Sequence, residues 1–599
     1  MRIGEVEQLT GLSKKTIRLY EERGLIRGVI RSENSYREYS DEMISQLNTI
    51  ALLRRAGISL SDIQLWQDEV ISTSEMLKKR LAELKNTAVI AGDQVKLCRR
   101  LLDGLHGDRL PDDILSEEHE ASDVAIEDTD SMADVTDSSV LTVGIDIGTT
   151  TISAVVLDIS AGCPAGVYTV TNNAAVQGDE PYEKTQDIKK ITWRVKKLLD
   201  ALLNRFPTTR AIGFSGQMHG IVYLDAVAKP ISELYTWQDG RAGIPDCDGK
   251  SVCDEIFEKT GYRISAGYGL ATHAWMEKHG KVPKNAEYLC TVMDCIPAMI
   301  CGCVPVMHSS NAASLGFFDV KNMKFDKDAL RTAGVSAGLL PELTDRDTVI
   351  GSYMGIPVSV AIGDNQASVL GSIGENRDAI LANFGTGSQI SVICGREVID
   401  EFTPTPDIEV RPFLDDSVLL SGSALCGGRA YAAMERFFRA YAEACGMADS
   451  EQYEVMNKLA ERGMKKYGYG SSDRLRVRTA FCGTRSDSTV RGSVGNIGEE
   501  NFSPEALLSA TLYGMAEELF GLYGEMKKGK PSSRPMLVVS GNAVRKNKAL
   551  KEAIGSVFGI EPKLPMHHEE AAYGAAIFAA RTALTESEAS DIEKCIRYK

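Results

Sequence analysis

The chain contains no run approaching the roughly 18 apolar residues a membrane span needs; its most apolar stretches are short and broken by Gly or Ser. The N-terminus carries Arg2, Glu5 and Glu7 where a secretory signal would place an apolar stretch. No two cysteines stand at C-x-x-C spacing, and Cys301-Gly302-Cys303 is too tight for a zinc knuckle. The thirteen cysteines, an odd number, therefore read as buried or free thiols of a reducing compartment, which implies a cytoplasmic protein without a membrane partner. A His/Cys/Glu metal cluster and a Ser-His-Asp hydrolase elbow are also missing. Residues 110–140 lack Lys, Arg, Phe, Tyr and Trp while holding 11 acidic residues. Such a segment cannot bury enough apolar surface to offset its ordering entropy, and its like charges repel. It is read as an extended linker, with an acidic interaction tail as the alternative.

What is present is ordinary globular material in quantity. The 599 residues are 43% hydrophobic and 25% charged, enough for several folding units. A net charge of −16 argues against non-specific coating of nucleic acid, yet residues 1–109 hold 18 basic against 16 acidic residues. A mildly basic N-terminal piece thus precedes the acidic run and an acidic body.

In that first piece Ile3, Val6 and Leu9 recur at helical spacing before Gly11-Leu12-Ser13. Ser13 can N-cap a second helix from Lys14 to Arg23, ending at Gly24. A short helix, a tight turn and a helix bearing Lys14, Lys15, Thr16, Arg18 and Tyr20 is the helix-turn-helix arrangement, with donors for phosphates and base edges. Val29 to Tyr39, with Arg31, Asn34-Ser35, Tyr36 and Arg37, suits a two-stranded wing. Helices are expected around Asp41–Ala56 and Ser59–Asp68. The pattern alone leaves open a plain helical bundle with solvated basic residues. Ile3-Gly4-Glu5-Val6, Thr10-Gly11-Leu12-Ser13, Thr16-Ile17-Arg18, Tyr20-Glu21, Gly24-Leu25-Ile26, Tyr36-Arg37 and Leu52 to Leu60 closely resemble the MerR family of winged-helix regulators. That resemblance implies a DNA-binding domain over 1–71 that acts on promoter DNA through Lys14, Lys15, Thr16, Arg18, Tyr20, Arg31, Tyr36 and Arg37. It also implies a dimerisation helix over 72–109, the stripe Met76, Leu77, Leu81, Leu84, Ile90, Val95, Leu97 and Leu101 pairing two copies through residues 72–105.

From Leu141 the pattern turns to strands. Leu141 to Asp146, then Ile147-Gly148-Thr149-Thr150-Thr151, then Ile152 to Leu157 make a strand, a Gly-Thr turn and a strand. Such a turn offers N–H groups and hydroxyls to phosphate oxygens, and Asp146 at the strand end can hold Mg²⁺ directly or through water. Ile380 to Ile393 repeats the pattern around Gly385-Thr386-Gly387, with Asn383 where Asp146 stood. Val538 to Ala543 adds a strand-to-helix turn at Gly541. One such turn is weak evidence; three together point to a nucleotide cleft between two similar halves. Asp364, after the apolar strand Pro357–Ile362, is placed either to take a proton from a substrate hydroxyl or to cap a helix. Gln217, Met218 and His219 on a Gly-flanked turn, with Trp237, Gln238, Asp239 and Arg241, suit a polyol. His219 taken alone is more often structural. His567-His568 receives no chemistry.

These motifs resemble the FGGY carbohydrate kinases from Thr142 to Arg581. Gly144 to Thr150 and Gly385-Thr386-Gly387 look like the phosphate motifs. Gly363-Asp364-Asn365-Gln366-Ala367 is similar to the catalytic segment. Gly427-Gly428 and Ser540-Gly541-Asn542-Ala543 resemble the nucleotide-holding parts, and Glu570 to Ala576 looks like the last helix. The resemblance implies an α/β, two-lobed, actin-like (ribonuclease H-like) kinase fold following the all-α winged-helix module. Its N-terminal lobe would span 141–378 and its C-terminal lobe 379–599. ATP and Mg²⁺ are the implied cofactors, with Asp364 as base and Asp146 at the metal. Gly148, Thr149, Thr150, Gly385, Thr386, Gly387, Gly428, Gly541 and Asn542 would hold nucleotide; Gln217, Met218, His219, Trp237, Gln238, Asp239, Arg241 and Asn311 would hold a ketose. The Trp-Gln-Asp-Gly-Arg string and Asn311-Ala312-Ala313-Ser314 look most like the sedoheptulokinase branch; Gln217 to Gly220 is shared with xylulokinases. Two departures stand out: His308-Ser309-Ser310 lacks the acidic residue usual before Asn311, and Asn542 replaces a glycine. A DNA-binding sugar sensor with a weakly active kinase body is the rival reading.

Overall fold

The computed structural model describes all residues except 2, 11, 27–29, 32–36, 86–97, 100, 104, 106–134, 137, 248, 448–450, 486, 488 and 527–534. The chain forms two units: residues 1–132 with 166–170 and 192–207, and the remainder. No described helix is long and apolar enough to cross a membrane.

In the first unit, Ile3–Thr10 and Lys14–Glu22 are the expected helix pair, and Ser13 Oγ accepts from the Thr16 amide at 3.1 Å as the N-cap. Asp41–Arg55 and Leu60–Gln67 follow, capped by Ser40 and Ser59. The wing is a short antiparallel pair, Ile30–Arg31 with Arg37–Glu38. Lys14, Lys15 and Arg18 are exposed and Thr16 is half-buried. Tyr20 corrects the sequence reading: one turn from Ile17 it faces the core at 1% exposure, so it cannot reach a base edge. Arg37 is engaged by Glu21, with Nε donating to Oε2 at 2.7 Å. Tyr36 and the Arg31 side chain lie outside the described residues. Of the expected dimer helix, Thr73–Lys85 is described, and most of the acidic run falls outside.

The segments 166–170 and 192–207 join this unit through polar contacts. Arg205 pairs with Asp68 at 2.5 Å with both side chains largely buried, and Arg194 pairs with Glu75 at 2.9 Å. Tyr168 Oη donates to Gln64 Oε1 at 3.1 Å. Buried, hydrogen-bonded pairs of this kind fix geometry more than they add stability.

The second unit is organised around two sheets. In the first, Val349–Tyr353, Ile356–Ser359, Thr209–Gly216, Leu141–Ile147 and Thr151–Asp158 are neighbours in that order. The second runs Ile408–Pro412, Ser417–Ala424, Ser388–Gly395, Ala379–Phe384, Met536–Ser540. Each contains the expected antiparallel hairpin around a Gly-Thr turn. Each hairpin's first strand also has a parallel partner that ends in Ser-Gly: Asp146 lies opposite Ser215, and Asn383 opposite Ser540. This second repeat, a parallel Ser-Gly strand end beside each hairpin, joins segments far apart in sequence.

Helix Glu570–Ala583 carries almost nothing but small residues on its inner face, and the reason is distance. A Cβ at Gly144 would sit 2.0 Å from the Ala572 carbonyl, and one at Gly213 would sit 2.1 Å from that of Ala575. The helix therefore packs backbone to backbone on the first sheet. It meets helix Asp364–Ile373 equally closely, Gly574 facing the Ala367 carbonyl. Close approach without side chains brings the N-termini of both helices to the end of strand Leu141–Ile147.

Candidate active site

Asp364 is the first residue of its helix; Gly363 is the N-cap, and no side chain caps the helix. Asp364 is therefore not the N-cap residue, although its carboxylate also accepts from the Asn365 amide in the first turn. The helix start is held in register from three sides. Ser310 Oγ accepts from the Gly363 amide at 3.3 Å. Asn365 Nδ2 donates to Gln389 Oε1 at 2.7 Å, and Gln366 Nε2 donates to the Pro412 carbonyl at 2.8 Å. Burial raises the Asp364 carboxyl to about 6, opposed by the positive charge of Arg411.

Asp146 is pushed up to about 7, first by burial and then by the like charges of Asp364 and Glu569. Its Oδ1 is buried without a partner. Glu569, to which the sequence reading gave no role, is the N-cap of helix Glu570–Ala583 in a left-handed conformation, φ 60°. A non-glycine residue held there stores strain that surrounding structure must impose. Two carboxylates at helix N-termini and a third between them form a concentration of negative charge that a divalent cation would relieve. Among the described residues no cluster of three or more His, Cys, Asp or Glu side chains is arranged to hold a metal alone.

The residues expected to hold a sugar form a connected chain rather than a set of free ligands. Trp237, half exposed, donates from Nε1 to Thr149 Oγ1 at 3.0 Å, and Thr149 donates to Gln217 Oε1 at 3.3 Å. Gln217 Nε2 continues to Gln186 Oε1 at 2.9 Å, and Gln186 returns to the Thr149 carbonyl at 2.8 Å. The first Gly-Thr turn and Trp237 are therefore mechanically joined. His219, at φ 73°, stacks on Tyr268 with centroids 4.4 Å apart, and its Nδ1 meets the Ser314 carbonyl at 2.6 Å. A carbonyl only accepts, so Nδ1 carries the proton. Burial holds the ring near a pKa of about 4, leaving Nε2 a neutral acceptor suited to a hydroxyl. Met218 is buried beside Gly363.

Asp239 and Arg241 are buried and turned to each other through a two-bond fork at 2.7 and 2.9 Å. Arg241 also lies over the Tyr235 and Trp275 rings, and Asp239 accepts from the Lys184 amide. Gln238 is exposed. Asn311 is fully buried; its Nδ2 donates to Thr291 Oγ1 at 2.8 Å and Asp294 Oδ2 at 2.7 Å, and its Oδ1 has no partner. Burial raises the carboxyl of Asp294 to about 7.

The glycines expected to hold nucleotide pack against one another. Gly428 donates from its amide to the Gly385 carbonyl at 2.9 Å, and the Arg429 amide to the Thr386 carbonyl at 3.2 Å. A Cβ at Gly427 would meet the Gly387 carbonyl carbon at 2.4 Å, and Gly541, at φ 93°, lies against the Phe384 carbonyl. Asn542 opens the short helix beyond Gly541. Gly148 accepts from Asn172 at 2.8 Å, and Thr150 and Thr386 are exposed on their turns. Bare backbone amides and hydroxyls at two such turns can hold phosphate oxygens.

Sequence reasoning also missed Glu409 and Arg411, on strand Ile408–Pro412. Arg411 Nε donates to Glu409 Oε2 at 2.7 Å, and Arg485 pairs with Glu409 at 2.5 Å. Both Arg411 and Glu409 act electrostatically on His219, and Arg411 on Asp364. Their signal was alternation: two charges on one face of a strand otherwise made of Ile408, Val410 and Pro412.

Residues 1–69 match the profile described as MerR HTH family regulatory protein, and residues 141–371 that of the FGGY family of carbohydrate kinases, N-terminal domain. The sedoheptulokinase of Mus musculus is 27% identical over 483 residues, 75% of this chain and 99% of that protein. The glycerol kinase of Enterococcus casseliflavus is 26% identical, covering 61% of this chain and 73% of its own. Among solved structures, a ligand-bound xylulose kinase from Lactobacillus acidophilus superposes with a TM-score of 0.63 at 18% identity, over 77% of this chain and 92% of that one.

Proposed function

We propose that this chain, which joins a MerR-type helix-turn-helix segment to a carbohydrate kinase body of the FGGY family, transfers the γ-phosphoryl group of ATP to a terminal hydroxyl of a ketose, best fitted by sedoheptulose. The observation that carries the reaction is Asp364: a carboxylate at the first position of a helix, raised to about 6 by burial, is poised to accept a hydroxyl proton. His219 Nε2 and the Asn311 Oδ1 are acceptors left for sugar hydroxyls, with Trp237 as the flat wall and Met218 below the base. The Asp239–Arg241 fork holds that wall in place, while Gln217 orients Thr149. Gln238, exposed beside Trp237, is the residue most free to meet the far end of a longer sugar.

Gly148, Thr149, Thr150, Gly385, Thr386, Gly387, Gly428, Gly541 and Asn542 form the phosphate and nucleotide side. Mg²⁺ held at Asp146 would supply neutralising charge for the phosphates, which phosphoryl transfer requires beyond positioning. Sedoheptulose is favoured by the Mus musculus relative, matched over nearly its whole length, and by the Trp237 to Arg241 string. Release of ADP by the purified chain across a panel of ketoses tests this. Turnover on sedoheptulose above xylulose and glycerol is expected; no turnover on any sugar would favour the sensor reading.

The N-terminal helices are proposed to bind a pseudo-palindromic promoter as a dimer through residues 72–105, with Lys14, Lys15 and Arg18 on the exposed face of the second helix. Tyr20 is withdrawn from that surface by its burial. Salt-sensitive, sequence-selective binding by the full chain is the expected result.

A further inference from the structure

Cys426 and Cys482 stand 56 positions apart, and their sulfurs meet at 3.5 Å. Cys426 is buried and is the N-cap of helix Gly427–Ala444, the residue immediately before the glycines packed on the second Gly-Thr turn. Cys482 is exposed. The backbone N–H groups of Phe481 and Cys482 also point at the Cys426 sulfur, so the two segments approach over more than one atom. Cys290 and Cys295 interact as well, but both are buried, away from any oxidant. The neighbours of Cys482 are tied at both ends: Thr479 donates to Glu518 at 2.8 Å, and Arg485 pairs with Glu409, whose charge acts on His219. This one short segment therefore touches the helix start beside the nucleotide turn and the charges facing the sugar site.

We propose that Cys426 and Cys482 are an oxidant-sensitive dithiol whose closure to a disulfide pins segment 479–485 to the nucleotide-side helix and lowers nucleotide affinity. The oxidant class is a peroxide. The exposed Cys482 sulfur attacks one peroxide oxygen; the O–O bond breaks, and the departing oxygen leaves as water with the thiol proton. The resulting sulfenic acid is attacked by the Cys426 sulfur; the S–O bond breaks, the S–S bond forms, and a second water leaves with the Cys426 proton. Two thiols and one peroxide thus give one disulfide and two waters. Bond formation requires the sulfurs to close from 3.5 Å to the usual ~2.05 Å, a shift that side-chain rotation and a small movement of the exposed segment can supply. Closure sets Cys426 against segment 479–485 while its neighbours Gly427 and Gly428 remain packed on the Gly-Thr turn, so the turn loses freedom to adjust to phosphates.

The disulfide itself is independent of the kinase reading; its effect on nucleotide rests on it. The full chain is treated with dilute hydrogen peroxide, alkylated under denaturing conditions, digested and mapped, and ADP affinity is measured before oxidation, after it, and after reduction by dithiothreitol. A joined Cys426–Cys482 peptide pair, together with an affinity loss of about fivefold or more that dithiothreitol reverses, is expected. Cys482→Ser, which keeps the side chain's size and lies outside the binding machinery, is expected to show neither. Recovery of Cys426 as an alkylated thiol while Cys482 is over-oxidised or joined elsewhere would overturn the dithiol. A mapped disulfide with unchanged ADP affinity would overturn the switch. Neither result touches the phosphotransfer assignment, which stands on turnover by the reduced protein.

Discussion

In the first sheet Asp146 lies opposite Ser215 across parallel strands, and in the second Asn383 lies opposite Ser540 at the same place in the same pattern. Both serines are buried, and both strands run on into a Gly-Thr hairpin. The scaffold is repeated while its charge is not. The first copy carries a carboxylate that burial, Asp364 and Glu569 push up to about 7; the second carries a neutral amide. Two anionic strand ends facing one triphosphate would repel it from both sides. Under the proposed function, one carboxylate able to take a cation, opposed by a neutral amide, would let both turns approach the same phosphates. The comparison teaches that the fold supplies two similar turns, and that one side chain in each sets whether its strand end is charged or neutral.

Removing the proposed base is the severest test. Asp364→Asn is expected to lower kcat by roughly 10²–10⁴-fold in a coupled ADP-release assay, with nucleotide binding retained by calorimetry. The same variant is expected to be the more stable protein. Burial lifts the folded carboxyl to about 6, above its unfolded value, so the folded state binds the proton more tightly and the charged form costs stability at higher pH. The gain from Asn is therefore present above pH 6, absent below about pH 4, and readable in urea melts at the two pH values.

Making the first copy resemble the second is the next test. Asp146→Asn is expected to raise the Mg²⁺ concentration for half-maximal turnover by at least about 10–100-fold. An unchanged Mg²⁺ titration would assign the cation to other groups. The reverse change, Asn383→Asp, places a second partly buried carboxylate at the nucleotide side. It is expected to cost about 1–3 kcal/mol of unfolding free energy and to weaken ATP binding, both read by thermal shift with and without nucleotide.

The smallest effect is a displacement along the pH axis. Asp364 must be ionised to accept a proton, so kcat/KM is expected to fall as pH drops through about 6, rather than through the ~4 of an ordinary aspartate. His219, held near 4 and neutral through that range, contributes no limb of its own. A profile flat down to pH 5 would mean that the base is not the buried carboxylate.

Much of this was legible because it is local. Ser13 as a cap, the helices after Ser40 and Ser59 and the two Gly-Thr hairpins follow from side-chain chemistry and alternation within a few residues. Glu569 was not legible, since its meaning lies in the packing of helix Glu570–Ala583 on Gly144 and Gly213, which come from strands hundreds of positions earlier. Tyr20 was misread because a tyrosine on a basic helix looks like a contact until the core behind it is known.

The sequence by itself determined the class of chemistry and the order of its parts: turns rich in Gly and Thr, a carboxylate after an apolar strand, and a basic helix pair ahead of an acidic run. Those are properties of residue type and short spacing. Tertiary structure alone decided which polar groups remain available. It turned Asp239 and Arg241 toward each other, brought Asp294 to the amide of Asn311, left Asp146 Oδ1 without a partner, and set Cys482 against Cys426. The physical reason is that a buried polar atom must find a partner, and which partner lies within reach depends on chain segments far apart in sequence and adjacent only in the folded protein.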